Sequence, residues 1–216
     1  MCLVLLADSQ LLFSSQNSST LRAFLLAKLR GRCGIYLGAA NGDEEDYFLL
    51  AKAAFSALGA TLQFHRSDDG DAKLGLDSSA DFYVLAGGDV AQGWRYLSQP
   101  QVHSALSSAN RRGALFIGVS AGAIHLARMI EFVEQSRLLH FLGWLPAAIA
   151  VHEEREGWPS HRQWSRAYRD VSDLVCIPFG GGVVVVADQL YQTGREVKWY
   201  TQEGEVILPS LASRVE

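Results

Sequence analysis

Cysteine is scarce and scattered in this chain of 216 residues. Its three cysteines, Cys2, Cys33 and Cys176, lie far apart, with no CxxC pair and no Cys/His cluster at zinc spacing. That excludes a disulfide scaffold and a zinc knuckle as organising features and leaves buried thiols in a reducing compartment. Long apolar runs are absent as well: nothing approaches the ~18 residues that a bilayer span needs. The opening MCLVLLADS is too short for a signal-peptide core and has no basic residue before it. It reads as a buried first strand ended by Asp8 and Ser9. An excess of either charge is lacking too. Lys and Arg total 19 against 23 Asp and Glu, a net charge of −4, which provides no bulk attraction to nucleic acid or to an anionic membrane. Neither a GxGxxG dinucleotide fingerprint nor a P-loop occurs. The expectation is a soluble, cytoplasmic protein with no nucleic-acid or membrane partner and no metal or organic cofactor, a homodimer being left open.

What the chain does have is apolar side chains. Half of it is hydrophobic (49%) and only 19% is charged, enough for one sizeable core and against intrinsic disorder. One domain spanning 1–216 is expected. Short β-rich runs alternate with helical ones. Strands are expected over Cys2–Leu6, Cys33–Leu37, Ala60–Phe64, Phe82–Ala86, Ala114–Gly118, Leu174–Ile177 and Gly182–Val186. Helices are expected over Ser19–Leu29, Glu45–Leu58, Gly93–Leu97, Val102–Asn110 and Ala121–Arg128. The tail from Val197 to Leu208 reads as a hairpin turning near Glu203-Gly204. Most of the stretch from Glu131 to Asp170 lacks a clear period and is expected to hold loops and excursions. The alternation implies an α/β fold with a mostly parallel sheet and helices on both faces. The near-continuous apolar runs ALFIG and VVVV fit strands covered on both faces. Sites in such sheets gather at the carboxyl ends of strands. That directs attention to Gly38–Gly42, Gly87–Asp89 and Gly118–Gly122.

Gly118-Val119-Ser120-Ala121-Gly122 is a G-x-S-x-G pattern between an expected strand and an expected helix. A sharp strand-to-helix turn forces the central residue into a strained conformation, and small neighbours let the chain reverse closely. Ser120 then stands at the carboxyl edge of the sheet, and the first free N–H of the helix, that of Ala121, faces the same place as an oxyanion donor. A tight βα turn with Ser120 as a helix cap is the alternative. A serine nucleophile needs a base. Of the six histidines, His152 follows the strand-like LPAAIAV and opens a polar stretch, which suits a general base. His161, deeper in that stretch, is the second candidate. His125, on the helix after the elbow, reads as packing, and His140 as structural. Between Ser120 and His152 only Glu131 and Glu134 are available to orient an imidazole, so one of them completes a triad of that order or the acid comes from elsewhere. Gly87-Gly88-Asp89 ends another strand, and there Gly88 supplies a second oxyanion N–H or forms an ordinary turn. An ordinary α/β-hydrolase is disfavoured, because no His follows His161 and no HGGG segment occurs.

Three blocks together, YVLAGGD (Tyr83–Asp89), ALFIGVSAGA (Ala114–Ala123) and LGWLPAAIAVH (Leu142–His152), resemble the peptidase E and cyanophycinase-like serine peptidases of family S51. The likeness runs from the first strand through GGGVVVV. It implies a class I glutamine amidotransferase-like, flavodoxin-like three-layer fold in which serine replaces the cysteine of the amidotransferase elbow. It implies Ser120 as nucleophile, His152 as base, and Gly88 and Ala121 as the oxyanion hole. By offset, Glu134 falls closest to the acid position, with Glu131 as the alternative. The expected substrate is a short peptide with an N-terminal aspartyl residue, cleaved through an acyl-enzyme. Arg162 would pair with the substrate carboxylate, with Arg155 and Arg166 as rivals. Asp89 would bind a substrate amine or cap the following helix. Two other functions stay open: a serine hydrolase acting on another acyl or isopeptide bond, and an amidotransferase-like domain that binds without catalysis.

Overall fold

The computed structural model describes residues 1–13, 19–67, 76–132 and 137–215. In chain order the elements are β1 (Cys2–Leu6), α1 (Gln10–Phe13), α2 (Ser19–Leu29), β2 (Cys33–Leu37), α3 (Glu45–Ser56), β3 (Thr61–His65), β4 (Phe82–Leu85), α4 (Val90–Leu97), α5 (Pro100–Arg111), β5 (Leu115–Val119) and α6 (Ala121–His125). There follow β6 (Met129–Phe132), β7 (Arg137–His140), β8 (Ala147–Val151), α7 (Pro159–Ala167), β9 (Asp173–Ile177), β10 (Gly181–Val186), β11 (Gln189–Gly194), β12 (Lys198–Thr201), β13 (Gly204–Ile207) and α8 (Ala212–Val215).

A seven-stranded sheet in the order β11-β10-β1-β5-β4-β2-β3 forms the centre. Strands β1, β5, β4, β2 and β3 run parallel, whereas β10 is antiparallel to both β1 and β11. The two faces of β1 show why both sides are covered. Successive residues of a strand point to opposite faces. Val4 and Leu6 accordingly pack with Leu21, Leu25 and Leu29 of α2 and Phe48 and Phe55 of α3. Leu3 and Leu5 face the other way, into a core shared with Tyr96 and Leu97 of α4, Val102 and Leu106 of α5, and Ile149 and Val175 of a second sheet. That second sheet has the order β13-β12-β9-β8, with β8 and β9 parallel. Its outer side is closed by Trp164 of α7 against Ala148, Ala150, Leu174 and Cys176.

The stretch expected to be loops is more regular than its period suggests. It holds the β6–β7 hairpin, β8 and α7. Helix α7 escapes a periodicity reading because Trp164 is the only buried residue among its nine. The helix after the elbow ends at His125, three residues earlier than expected. The valine run of β10 is buried along its whole length although its pairing is antiparallel, so burial on both faces did not report strand direction here.

His125 joins the layers. It is 1% exposed, its Nε2–H donates to the Val90 carbonyl at 2.8 Å, and its ring packs beside Trp94 and Phe141. A Cβ on Gly93 would lie 2.5 Å from His125 Cε1, so α4 approaches α6 this closely only because residue 93 is glycine. Burial pushes the imidazole pKa down from 6.5 to about 4, against smaller opposing effects of the Val90 hydrogen bond and Asp89. The unfolded chain therefore binds one more proton than the folded chain between those values. The stability that goes with a neutral His125 is complete above pH 6.5 and is lost as the pH falls toward 4. The loss is on the order of 3 kcal/mol. Urea unfolding at about pH 7.5 and about pH 4.5 is expected to show a fall larger by roughly that amount in the wild type than in His125→Gln. Equal falls in the two proteins would contradict it.

Candidate active site

Strands β1, β2, β4 and β5 end on one edge of the central sheet, and their next residues converge there. Ser120 follows β5 directly and adopts φ 50°, ψ −112°, a region L side chains rarely occupy. Its backbone N–H donates to the Leu6 carbonyl at 2.8 Å, tying the turn to β1. A Cβ on Gly122 would stand 2.0 Å from the Leu85 carbonyl oxygen, and one on Gly118 would stand 2.5 Å from the Gly122 backbone. Both glycines are thus demanded by close approach of backbones, and together they hold the serine outward.

His152 arrives from the second sheet. It follows β8, its N–H donates to the Ile177 carbonyl at 2.9 Å, and it too is left-handed, with φ 47°. Ser120 Oγ and His152 Nε2 lie 3.0 Å apart. An imidazole nitrogen at that distance can take the hydroxyl proton, which is the requirement for a serine nucleophile. Two candidate residues 32 positions apart in sequence are brought into hydrogen-bond contact by two different sheets. The Gly88 and Ala121 N–H groups make none of the hydrogen bonds found among the described residues, and Gly87 and Gly88 share the pocket wall with Ser120. Gly88 has φ 139°, and a Cβ there would stand 2.1 Å from the Ala40 carbonyl oxygen.

The other sequence candidates are placed differently. Asp89 caps α4, its Oδ1 accepting from the Gln92 N–H at 2.6 Å, and it does not line the pocket. Arg162 is turned onto its own loop, where its guanidinium donates to the Gly157 and Glu156 carbonyls, and it too is off the pocket wall. Arg155 is on that wall. His161 packs its ring against Trp164 and Tyr200, and burial pushes its pKa down. Glu131 sits in β6 opposite Leu138, and Glu134 lies outside the described residues.

The pocket over Ser120 and His152 has a volume of about 610 Å³. Much of its wall is apolar: Leu12 and Phe13 from α1, Tyr47 and Leu50 from α3, and Phe179 from the loop before β10. Phe13, Tyr47, Leu50 and Phe179 are 42–58% exposed, unusual for side chains of that size. Sequence reading missed this wall. In α3 the exposed Tyr47 and Leu50 look like part of an ordinary apolar face, and Phe179 is a single aromatic between Pro178 and Gly180. Among the described residues no group of three or more His, Cys, Asp or Glu is arranged to hold a metal ion, and no helix is long and apolar enough to cross a membrane.

The backbone strain at Ser120 can be measured apart from its chemistry. Ser120→Ala and Ser120→Gly both remove the hydroxyl, but only glycine adopts this turn without a Cβ penalty. Urea unfolding is expected to find Ser120→Gly more stable than Ser120→Ala by about 1 kcal/mol, despite the greater chain entropy of unfolded glycine. A reversed order would show the turn to be unstrained.

No curated protein sequence matches the chain. Among solved structures, a peptidase from an acI-B1 Actinobacterium superposes with a TM-score of 0.75 at 17% identity, covering 97% of this chain and 94% of that one. A candidate peptidase E from Listeria monocytogenes EGD-e gives a TM-score of 0.65 at 14% identity, covering 90% of this chain and 98% of that one. At such identities the likeness is one of fold, a flavodoxin-like α/β architecture over nearly the full length. The peptidase family S51 model matches residues 3–144, a span that includes all of β1 but Cys2, the glycine pair at Gly87-Gly88 and the Ser120 elbow. By that match the chain belongs to peptidase family S51.

Proposed function

We propose that this S51 peptidase hydrolyses short peptides through an acyl-enzyme on Ser120. The observation that carries this reading is the 3.0 Å contact between Ser120 Oγ and His152 Nε2 at a strained strand-to-helix turn. Ser120 Oγ attacks the scissile carbonyl carbon while His152 takes its proton. The Gly88 and Ala121 N–H groups receive the oxyanion. The imidazolium then protonates the leaving amine, the C–N bond breaks, and a water activated by His152 hydrolyses the ester.

The finer reading is a dipeptidase for peptides with an N-terminal aspartyl residue. Selecting a carboxylate in a pocket with so much apolar wall calls for a cation. Arg155 is the one Arg or Lys on the wall among the described residues, whereas the guanidinium of Arg162 is spent on loop carbonyls. A charge-assisted pair from Arg155 suits an aspartyl side chain. The apolar wall of Phe13, Leu50 and Phe179 suits the residue across the bond. The same wall favours a second reading, hydrolysis of an apolar acyl ester, and one panel separates the two. Asp-Leu is expected to be cleaved faster than Asp-Gly, Leu-Leu or p-nitrophenyl butyrate. Arg155→Ala is expected to raise KM for Asp-Leu by about ten- to a hundredfold, the worth of a hydrogen bond to a charged group, and to leave Leu-Leu unchanged. Faster turnover of the ester than of every peptide would favour the second reading. Indifference of Asp-Leu hydrolysis to Arg155→Ala would remove the aspartyl assignment.

A further inference from the structure

A serine–histidine pair needs a third group that fixes the imidazole and balances its charge once the serine proton has moved. His152 Nε2 can accept from Ser120 only if the ring proton is on Nδ1, and Nδ1 has no hydrogen-bond partner among the described residues. A complementary orphan stands two residues away. Glu154 lines the same pocket as Ser120 and His152 and opens the single helical turn Glu154–Glu156 that follows His152 and Glu153. One of its carboxylate oxygens, Oε1, accepts from the Phe179 N–H at 3.2 Å, which holds the side chain against the loop before β10. The other, Oε2, is buried from solvent and has no partner.

A buried carboxylate oxygen with nothing to accept from is costly and calls for an explanation. No cation supplies one: the ion pairs among the described residues are Arg32–Asp81 and Arg66–Glu45. The other carboxylates near the site are engaged. Both oxygens of Asp8 accept backbone N–H groups, from Gln10 and Gly180. Both oxygens of Glu153 accept from Ser160. Glu154 alone of the three keeps an oxygen in reserve.

We propose that Glu154 is the positioning residue of the Ser120–His152 pair: its buried, unpartnered Oε2, which makes no hydrogen bond to His152 in this structure, turns to accept the Nδ1–H of His152 when the serine proton moves. The inference rests on the serine-peptidase reading above. The proton that leaves Ser120 goes to His152 Nε2 and later to the leaving amine. Glu154 holds the tautomer and stabilises the imidazolium without taking the proton.

The test is the rate of Ser120 phosphonylation by a fluorophosphonate, which reads activation of the hydroxyl whatever the peptide substrate is. It is followed against pH in the wild type and in Glu154→Gln, Glu154→Asp and Glu134→Gln, with folding checked by Tm. Glu154→Gln is expected to slow labelling by about a hundredfold to ten-thousandfold. It should also move the acidic midpoint of the rate–pH profile to lower pH, because the imidazolium loses its neighbouring negative charge. Glu154→Asp should recover part of both, and Glu134→Gln, which replaces the rival acid, should lose far less than Glu154→Gln. Should Glu154→Gln not fold, the Asp variant carries the comparison alone, a slower rate with the lowered midpoint being the expected result. Labelling of the Glu154 variants at the wild-type rate with an unmoved midpoint overturns the proposal, as does a loss that appears in Glu134→Gln instead. A wild type that does not label at all, or labels equally in Ser120→Ala, removes the serine reading itself. The two failures are thereby distinguished.

Discussion

Between Val119 and Ala121 the chain reverses in space left by two missing Cβ atoms. The Gly122 backbone lies against the Leu85 carbonyl and Gly118 against Gly122, so neither position admits a larger residue without moving β4 or α6. That crowding is what gives Ser120 its left-handed backbone and turns its side chain out over the sheet edge. The rest of the site is arranged around this turn. Strand β1 holds it by the Leu6 carbonyl, β4 brings Gly87 and Gly88 alongside, and β2 leads into the Ala40 carbonyl that forces glycine at Gly88.

The second sheet completes what the first cannot. The central sheet supplies the Ser120 turn, and β8 of the second sheet ends with His152, whose Nε2 lies 3.0 Å from Ser120 Oγ. The two sheets are held at this spacing by a shared core, in which Ile149 and Val175 pack with Leu3, Leu5 and Phe116. Backbone hydrogen bonds reinforce it where α6 gives way to the β8 side, such as Arg128 N–H to the Ala147 carbonyl at 3.2 Å. The buried neutral His125, one turn past the elbow, belongs to the same joint. A protonated ring there would have to be accommodated between α4 and α6, where Gly93 leaves no slack.

Much of this was legible in the sequence, for identifiable reasons. Strands buried on both faces are apolar throughout, so β1, β2, β4, β5 and β10 stand out as runs, and the strand-turn-helix setting gives G-x-S-x-G its meaning. His152 was recognisable by its place at the end of AAIAV, and the structure sets it 3.0 Å from Ser120. Side-chain direction in irregular segments was not legible. Arg162 and Arg155 differ by seven positions in one polar stretch, yet the left-handed turn at Gly157 sends Arg162 back to its own carbonyls and leaves Arg155 on the pocket wall. Asp89 followed the local rule and caps α4. The apolar wall is assembled from α1, α3 and the loop before β10, segments with no motif in common. Spacing alone names Glu131 and Glu134 as candidate acids. The unpartnered oxygen of Glu154 is a property of packing that no spacing reveals.

The account turns on Ser120 being the nucleophile and His152 its base. Peptide mapping by mass spectrometry after brief exposure to a fluorophosphonate tests this most directly. The account predicts one adduct, on the peptide containing Ser120, with labelling lost in Ser120→Ala and severely slowed in His152→Ala. An adduct on another residue, or labelling of Ser120 undiminished when His152 is replaced, would contradict it.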